Sequence, residues 1–269
     1  MISVITPSLN PDINKIKITL DNILKNRTKF ELVLILQNTT EKKIQYLKKK
    51  YRNNKKLKII ADKGIGISRA RNIGIKYSTG QWILLLDDDI TLEVGIIKSL
   101  KESLCNEELF HYGNVFIRNS KKHYVPFFLI NKNLNFWNYN RVSSVSLIIN
   151  RKVFYSVGLF DENLGSGSRF GSSEESDLIL RSLLNGIKIK YLKIYSVYHD
   201  KPKHSLNKIE YYAKGTGALY KKHLRCKNIK LYFKFFLDII LRILFLISFK
   251  KKRYLFFKGF FLGFIGYKK

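Results

Sequence analysis

Short apolar runs rich in β-branched residues recur along the N-terminal part of the chain, and between them apolar positions fall at helical spacing. Ile2 to Thr6 is one such run, ended by Pro7, and Glu31 to Leu36 is the next, with a helical pattern from Ile13 to Leu24 between them. That is β-α-β spacing. Leu57 to Ala61 and Trp82 to Leu86 supply a third and a fourth strand, and a helix is predicted over Ser68 to Tyr77, ending near Gly80. Strands alternating with helices predict an α/β fold whose mainly parallel sheet takes ligands at the carboxyl ends of its strands. From Tyr112 to Ile149 the pattern turns irregular and aromatic before a strand at Val145 to Ile149. A helix over Asp177 to Asn185, closed by Gly186, and a strand over Ile187 to Leu192 complete this part.

From Asn228 onward the chain becomes Phe, Leu and Ile almost throughout. Lys230, Lys234, Asp238 and Arg242 recur every fourth residue and mark one polar stripe of an otherwise apolar helix. Such residues cost about 2.5 to 3.5 kcal/mol each at a bilayer centre, so a helix lying in the membrane plane fits better than a span. The cluster from Lys250 to Arg253, with Lys268 and Lys269, would then sit among anionic head groups. The other reading is a hydrophobic hairpin packed on the rest of the protein or on a second subunit. The division expected is a catalytic domain over residues 1–225 and a basic amphipathic tail over residues 226–269.

Charge sharpens this picture. Fifty Lys and Arg against twenty Asp and Glu give the 269-residue chain a formal net charge of +30, which calls for an anionic neighbour such as a membrane or a nucleic acid. Cys105 and Cys226 are far apart and form no CxxC pair, which fits a reducing compartment and neither a zinc site nor a disulfide framework. The first residues, MISVITPSLNPD, carry no signal-peptide pattern, so the catalytic part is expected in the cytosol.

Candidate chemistry begins where the fourth strand ends. The run QWILLLDDDI delivers Asp87, Asp88 and Asp89 at the mouth of a core strand, where mutual repulsion and desolvation make three carboxylates costly unless a partner neutralises them. A divalent cation with hard oxygen ligands, Mn²⁺ or Mg²⁺, suits them and keeps sites free for phosphate oxygens. An acidic turn that caps the next helix is the plainer alternative. A second acidic group, Glu174, Glu175 and Asp177, lies just before or at the start of a helix, where capping and the macrodipole also favour carboxylates.

Ile2 to Pro7, the segment DKGIGISRARNIGI from Asp62 to Ile75, WILLLDDD and the later FGSSEESDLILRSL together resemble the family 2 glycosyltransferases, especially those of bacterial polysaccharide assembly. The resemblance runs over roughly the first 225 residues. It implies a GT-A fold, a Rossmann-like mixed but mainly parallel sheet flanked by helices, here followed by a C-terminal amphipathic helical tail. It also implies that Asp87 and Asp89 match the outer positions of the family's DxD motif, with the last carboxylate on Mn²⁺ or Mg²⁺ and the first near both the nucleotide ribose and the metal, and that Asp88 joins the donor contacts. Thr6, Pro7, Asn38 and Asp62 occupy the places where the family contacts base and ribose, although many members have an acidic residue where Asn38 stands. Arg69 and Arg71 fall in the helix that borders the donor site, or are solvated surface charges; Asn72 is expected to fix that helix or the strand turn. His199 matches a position that often completes the metal shell, and a structural imidazole is the other reading. The general base matches Glu175, with Glu174 as its substitute, and Asp177 is left to orient the helix or touch acceptor. Gly165, Gly167 and Gly171 suggest either a loop that closes over the acceptor side or a plain glycine-rich turn.

The expected activity is inverting, metal-dependent transfer of a sugar from a nucleoside diphosphate sugar, UDP-sugar favoured, to a hydroxyl of a glycan, lipid-linked by this reading, in surface polysaccharide synthesis. The enzyme would work at the cytoplasmic face of the inner membrane, held peripherally by its tail, and a homo-oligomer is among the assemblies the apolar tail allows. No nucleic acid is expected as partner. The alternatives are a nucleic-acid-binding protein, prompted by charge and by aromatics interleaved with lysine from Phe110 to Tyr139, and a nucleotidyltransferase on a related fold.

Overall fold

The computed structural model describes residues 1–105, 107–120, 122–124, 132–200, 206–224, 226, 228–246 and 251–268. Strands and helices alternate at first: β1 (Ile2–Leu9), α1 (Ile13–Leu24), β2 (Phe30–Gln37), α2 (Glu41–Lys50), β3 (Leu57–Asp62), α3 (Ile67–Tyr77) and β4 (Trp82–Leu85). Then come β5 (Thr91–Leu92), α4 (Ile96–Ser103), β6 (Phe110–Ile117), β7 (Leu147–Asn150), α5 (Arg151–Val157), α6 (Glu174–Leu184) and β8 (Ile189–His199). Three further helices follow, α7 (Leu206–His223), α8 (Ile229–Leu246) and α9 (Lys251–Gly266). All eight strands join one sheet, in the order β3-β2-β1-β4-β7-β6-β8-β5.

The first four strands in that order run parallel, with Ile2 to Leu9 registered against Phe30 to Gln37, so their carboxyl ends share one edge. β7 is antiparallel to both β4 and β6, which reverses the direction beside the edge where Asp87 emerges. Every residue of β2 is buried, as a central strand covered on both faces requires. Ile16, Leu20, Ile44, Ile97 and Leu100 from α1, α2 and α4 cover one face. Ala70, Val153, Leu178, Tyr220, Leu231, Phe235 and Phe260 from α3 and from α5 to α9 cover the other.

The structure corrects several expected boundaries. Pro7 does not end β1, which runs on to Leu9. Ile5 points its carbonyl at Leu86 of the neighbouring segment, so Pro7 faces the same side, where β4 has already stopped and no amide is called for. β6 starts at Phe110 and runs into the stretch expected to be irregular, and β8 continues to His199 rather than stopping at Leu192. Helix α6 begins at Glu174, three residues before the predicted start, because its first turn is acidic rather than apolar. The short segment Ser144–Ser146 is a 3-10 turn ahead of β7. The core crosses residue 225: Leu231, Phe235 and Phe260 belong to the same cluster as Ile5 and Ile149 of the sheet. Of the expected tail charges, Lys250, Lys269 and the side chains of Arg242 and Lys251 lie outside the described residues, as does part of the Phe110 to Tyr139 stretch. Cys105 and Cys226 are free.

Candidate active site

At the carboxyl ends of β1, β2 and β4 the chain encloses a cleft of about 320 Å³ lined by Pro7, Leu9, Gln37, Ile67, Asp87, Asp88, Asp89, Ser166, His199 and Tyr212. The aspartates arrive there because β4 is apolar throughout and stops at Leu85, leaving the next polar residues at the rim. Asp88 accepts a hydrogen bond from the Ser8 hydroxyl, and Thr19 Oγ1 donates to the Asp88 carbonyl at 2.7 Å, which ties the turn to β1 and α1. Burial raises the pKa of Asp88, and the charges of Asp89 and Asp87 add to it against the Ser8 hydrogen bond. Burial likewise raises Asp89, with Asp87 and Asp200 adding to it and His199 opposing.

The short pairing of β5 with β8 registers Thr91 against Tyr198 and so brings His199 beside Asp89, Nε2 to Oδ1 at 3.5 Å. His199 Nδ1 lies 2.6 Å from the Asp200 carbonyl, which can only accept, so Nδ1 carries a hydrogen and it is Nε2 that faces Asp89, with a lone pair to offer whenever it carries no proton. Asp89 Oδ1 is buried and has no hydrogen-bond partner. Two electron-pair donors facing each other across a buried gap fit a cation between them. Arg118 holds this corner together: it donates to the Asp89 carbonyl and to Thr91 Oγ1, and its Nε lies 2.7 Å from Asp200 Oδ1.

Behind the cleft lies Arg71, 0% exposed. Its Nη2 lies 3.1 Å from Asp87 Oδ1 and donates to Ser144 Oγ at 2.8 Å, while Nη1 donates to Glu174 Oε1 at 2.9 Å. One guanidinium therefore joins the acidic end of β4 to the acidic start of α6. Arg71 is neither a solvated charge nor exposed to the cleft. The first turn of α6 presents Glu174, buried, and Glu175, partly covered. Burial raises the pKa of Glu175 well above that of an ordinary glutamate, and the adjacent Glu174 charge pushes the same way against Arg71. Neither glutamate lines the cleft itself. Burial alone would raise Asp177 too, but a hydrogen bond to His223 and the charges of Arg181 and Lys222 hold it far below the usual carboxylate range. Asp177 is therefore a structural anchor between α6 and α7.

Thr6, Asn38, Asp62, Arg69 and Asn72 do not line the cleft themselves. Arg69 lies against Asp62, with Nε to Oδ2 and Nη2 to Oδ1 both at 3.0 Å, so the pair is satisfied internally. Burial opposes ionisation of Asp62, yet Arg69, Gln37 and the Gly64 amide together lower its pKa. Asn38 is exposed in a left-handed conformation at the end of β2, and Thr6 is buried with its hydroxyl unpartnered. Asn72 pins the following loop, exchanging hydrogen bonds with the backbone of Phe160. The loop with Gly165, Gly167 and Gly171 is fastened on two sides: Ile67 N donates to the Ser166 carbonyl, and Ser172 Oγ donates to the Tyr212 carbonyl. Sequence reasoning passed over Gln37, whose amide bonds Asp62 and receives the Gly66 N–H, and over Ser8 and Ser166. Gln37 and Ser8 would have been found by extending β1 and β2 one turn further, since the ends of strands are where such sheets bind.

Residues 3–158 match the profile of glycosyl transferase family 2. No curated protein matches the chain. Among solved structures, residues 1–349 of TarS from S. aureus align with a TM-score of 0.62 at 19% identity, covering 86% of this chain and 67% of that one. The same fragment in complex with UDP-GlcNAc gives 0.63 at 19% identity, covering 86% and 68%. The mannosyltransferase PcManGT from Pyrobaculum calidifontis, in complex with GDP-Man and Mn²⁺, gives 0.65 at 14% identity, covering 84% and 65%. These likenesses show a shared GT-A fold, while the family profile spans more than half of the sequence, including the strand that carries Asp87 to Asp89 and the helix that carries Arg71. The chain belongs to glycosyl transferase family 2 and is a glycosyltransferase.

Proposed function

We propose that the enzyme transfers a sugar, with inversion, from a nucleoside diphosphate sugar to a hydroxyl of a lipid-linked glycan during bacterial surface polysaccharide assembly. UDP-sugar is the favoured donor. The observation that carries this reading is the buried Arg71 bridge, which fixes a carboxylate cluster suited to a diphosphate and its cation at a set distance from a second carboxylate pair suited to proton abstraction.

Asp89 and His199 would hold Mn²⁺ or Mg²⁺. Among the described residues no three His, Cys, Asp or Glu side chains form a metal cage, so diphosphate oxygens would complete the shell, a common arrangement for Mg²⁺. The cation supplies stabilisation of the negative charge that gathers on the departing diphosphate. Asp87, fixed by Arg71, and Asp88, fixed by Ser8, shape the donor side, and Pro7 and Gln37 form its wall toward β1 and β2. Glu174 is committed to Arg71, which leaves Glu175 as the general base. Glu175 takes the proton of the acceptor hydroxyl; the hydroxyl oxygen bonds to C1 from the face opposite the diphosphate; the C1–O bond breaks and its electron pair leaves with the diphosphate.

Calorimetric titration with UDP, GDP, CDP and dTDP, each with and without Mn²⁺, tests the donor side. One diphosphate is expected to bind, only with metal, and Asp89→Asn is expected to abolish that binding without moving the thermal midpoint. Failure of all four to bind would overturn the donor assignment, and full metal-dependent binding by Asp89→Asn would remove Asp89 from the site.

A further inference from the structure

We infer that the outward faces of α8 and α9, together with Trp137, form a docking surface for an anionic lipid bilayer on which both helices lie in plane. The polarity of α8 is reversed relative to a helix on a soluble surface. Its Lys234 and Asp238 pair with each other on the protein side, only 12% and 15% exposed, and Tyr220 of α7 donates its hydroxyl hydrogen to Asp238. Ile229, Phe233 and Phe236, at helical spacing on another face, are 78%, 52% and 58% exposed. The polar stripe of α8 is therefore turned inward at these two residues, and large apolar side chains meet solvent instead.

Helix α9 repeats the arrangement. Gly259 and Gly263 face α7 so closely that a Cβ on Gly263 would stand 1.9 Å from the Lys214 carbonyl, while Tyr254, Phe261, Leu262 and Ile265 point outward. Trp137 meets Phe233 edge to face at 6.0 Å and extends the apolar surface beyond the helices. Large apolar side chains left exposed on two successive helices that both pack on α7 mark an interaction site.

Charge selects the occupant. Residues 228–269 carry ten Lys and Arg and a single carboxylate, Asp238, which Lys234 already neutralises. Lys230, Lys252 and Lys268 are exposed on or next to the two helices. A second copy of the chain would set the same ten Lys and Arg of this segment, with their single Asp, against their like. A nucleic acid would leave Ile229, Leu262 and Ile265 without a stacking partner. An anionic bilayer satisfies both features, with acyl chains for the apolar side chains and head groups for the cations. Among the described residues no helix is long and apolar enough to cross a membrane, which matches an in-plane mode. Helix α7 fixes the surface to the cleft: Tyr212 lines the cleft, and Tyr220, on the same helix, stacks on Phe235 of α8 at 3.9 Å.

The test is flotation of the full chain with vesicles of phosphatidylcholine alone or mixed with phosphatidylglycerol. The protein is expected to float only with the mixed vesicles, and the double variant Phe233→Ser, Phe236→Ser should partition at least about tenfold less, with unchanged circular dichroism. Should that variant fail to fold, the unmodified protein serves: brominated phosphatidylcholine in the mixed vesicles should quench Trp137, because Trp82 lies in the core at 5% exposure, and Trp137→Phe should remove the quenching. Absence of flotation, flotation without quenching, or a dimer in solution that the double variant dissociates would each overturn the proposal.

Discussion

Arg71 is a residue whose removal should be felt in both stability and activity. Its guanidinium has no access to water and stands between Asp87, Ser144 and Glu174, so truncation leaves two carboxylates without their cation. Breaking a buried pair by removing one partner costs about 3 to 5 kcal/mol. Arg71→Ala is therefore expected to lower the unfolding free energy by about that amount in urea titrations; a loss below about 1 kcal/mol would show that solvent reaches the site. Glu175 makes a different prediction. Its pKa is raised in the folded protein, so as pH falls through that raised value the carboxylate takes up a proton and can no longer accept one from the acceptor. The acid limb of the kcat profile should then lie above the ordinary glutamate value of about 4.3. Glu175→Gln should lose transfer at every pH while still binding the diphosphate, and unchanged turnover would move the base to Glu174.

At the scale of elements, the tight seam between α7 and α9 is the feature most open to test. Lys214 of α7 presents its backbone to Gly263 of α9, leaving no room for a side chain. Overpacking of this kind costs about 1 to 3 kcal/mol, so Gly263→Val should lower the midpoint of thermal unfolding, whereas the exposed neighbour Leu262→Ser should stay within about 0.5 kcal/mol of the parent. Equal effects of the two would mean that α9 is not packed on the domain. The same elements show what was legible beforehand. β1, β2, β4 and α1 follow from apolar periodicity because each buries one continuous face or two, whereas β3 follows from its apolar run although it stays only partly buried at the sheet edge. Apolar periodicity reached α6 only from Asp177 and left open whether Glu174 and Glu175 precede the helix or begin it, since a first turn of carboxylates carries no apolar stripe. The aspartate triplet stood out because three carboxylates after an apolar strand are costly. Arg71 did not, since nothing in a run of basic residues distinguishes the cation that a distant glutamate will bury. The inward turn of Lys234 and Asp238 was equally hidden, because Tyr220, which donates to Asp238, comes from another helix.

For the whole molecule, the charge of +30 acts in two opposed directions. Like charges spread over one compact body repel, and that repulsion opposes folding. Salt shortens its reach, from about 30 Å at 0.01 M to about 8 Å at 0.15 M, while the attractive pairs that matter most, Arg71 with Glu174 and Asp177 with Lys222, are buried and screened far less. Stability should accordingly rise with sodium chloride over that range. Adhesion to anionic vesicles should fall over the same range, because there the cations supply attraction, about 1 kcal/mol for each Lys or Arg near the surface. Thermal unfolding and flotation measured in one salt series therefore have opposite expected slopes. A midpoint that falls with salt would mean that exposed ion pairs outweigh net repulsion in this chain. Flotation that does not weaken would mean that the apolar faces of α8 and α9 hold the bilayer without help from their lysines.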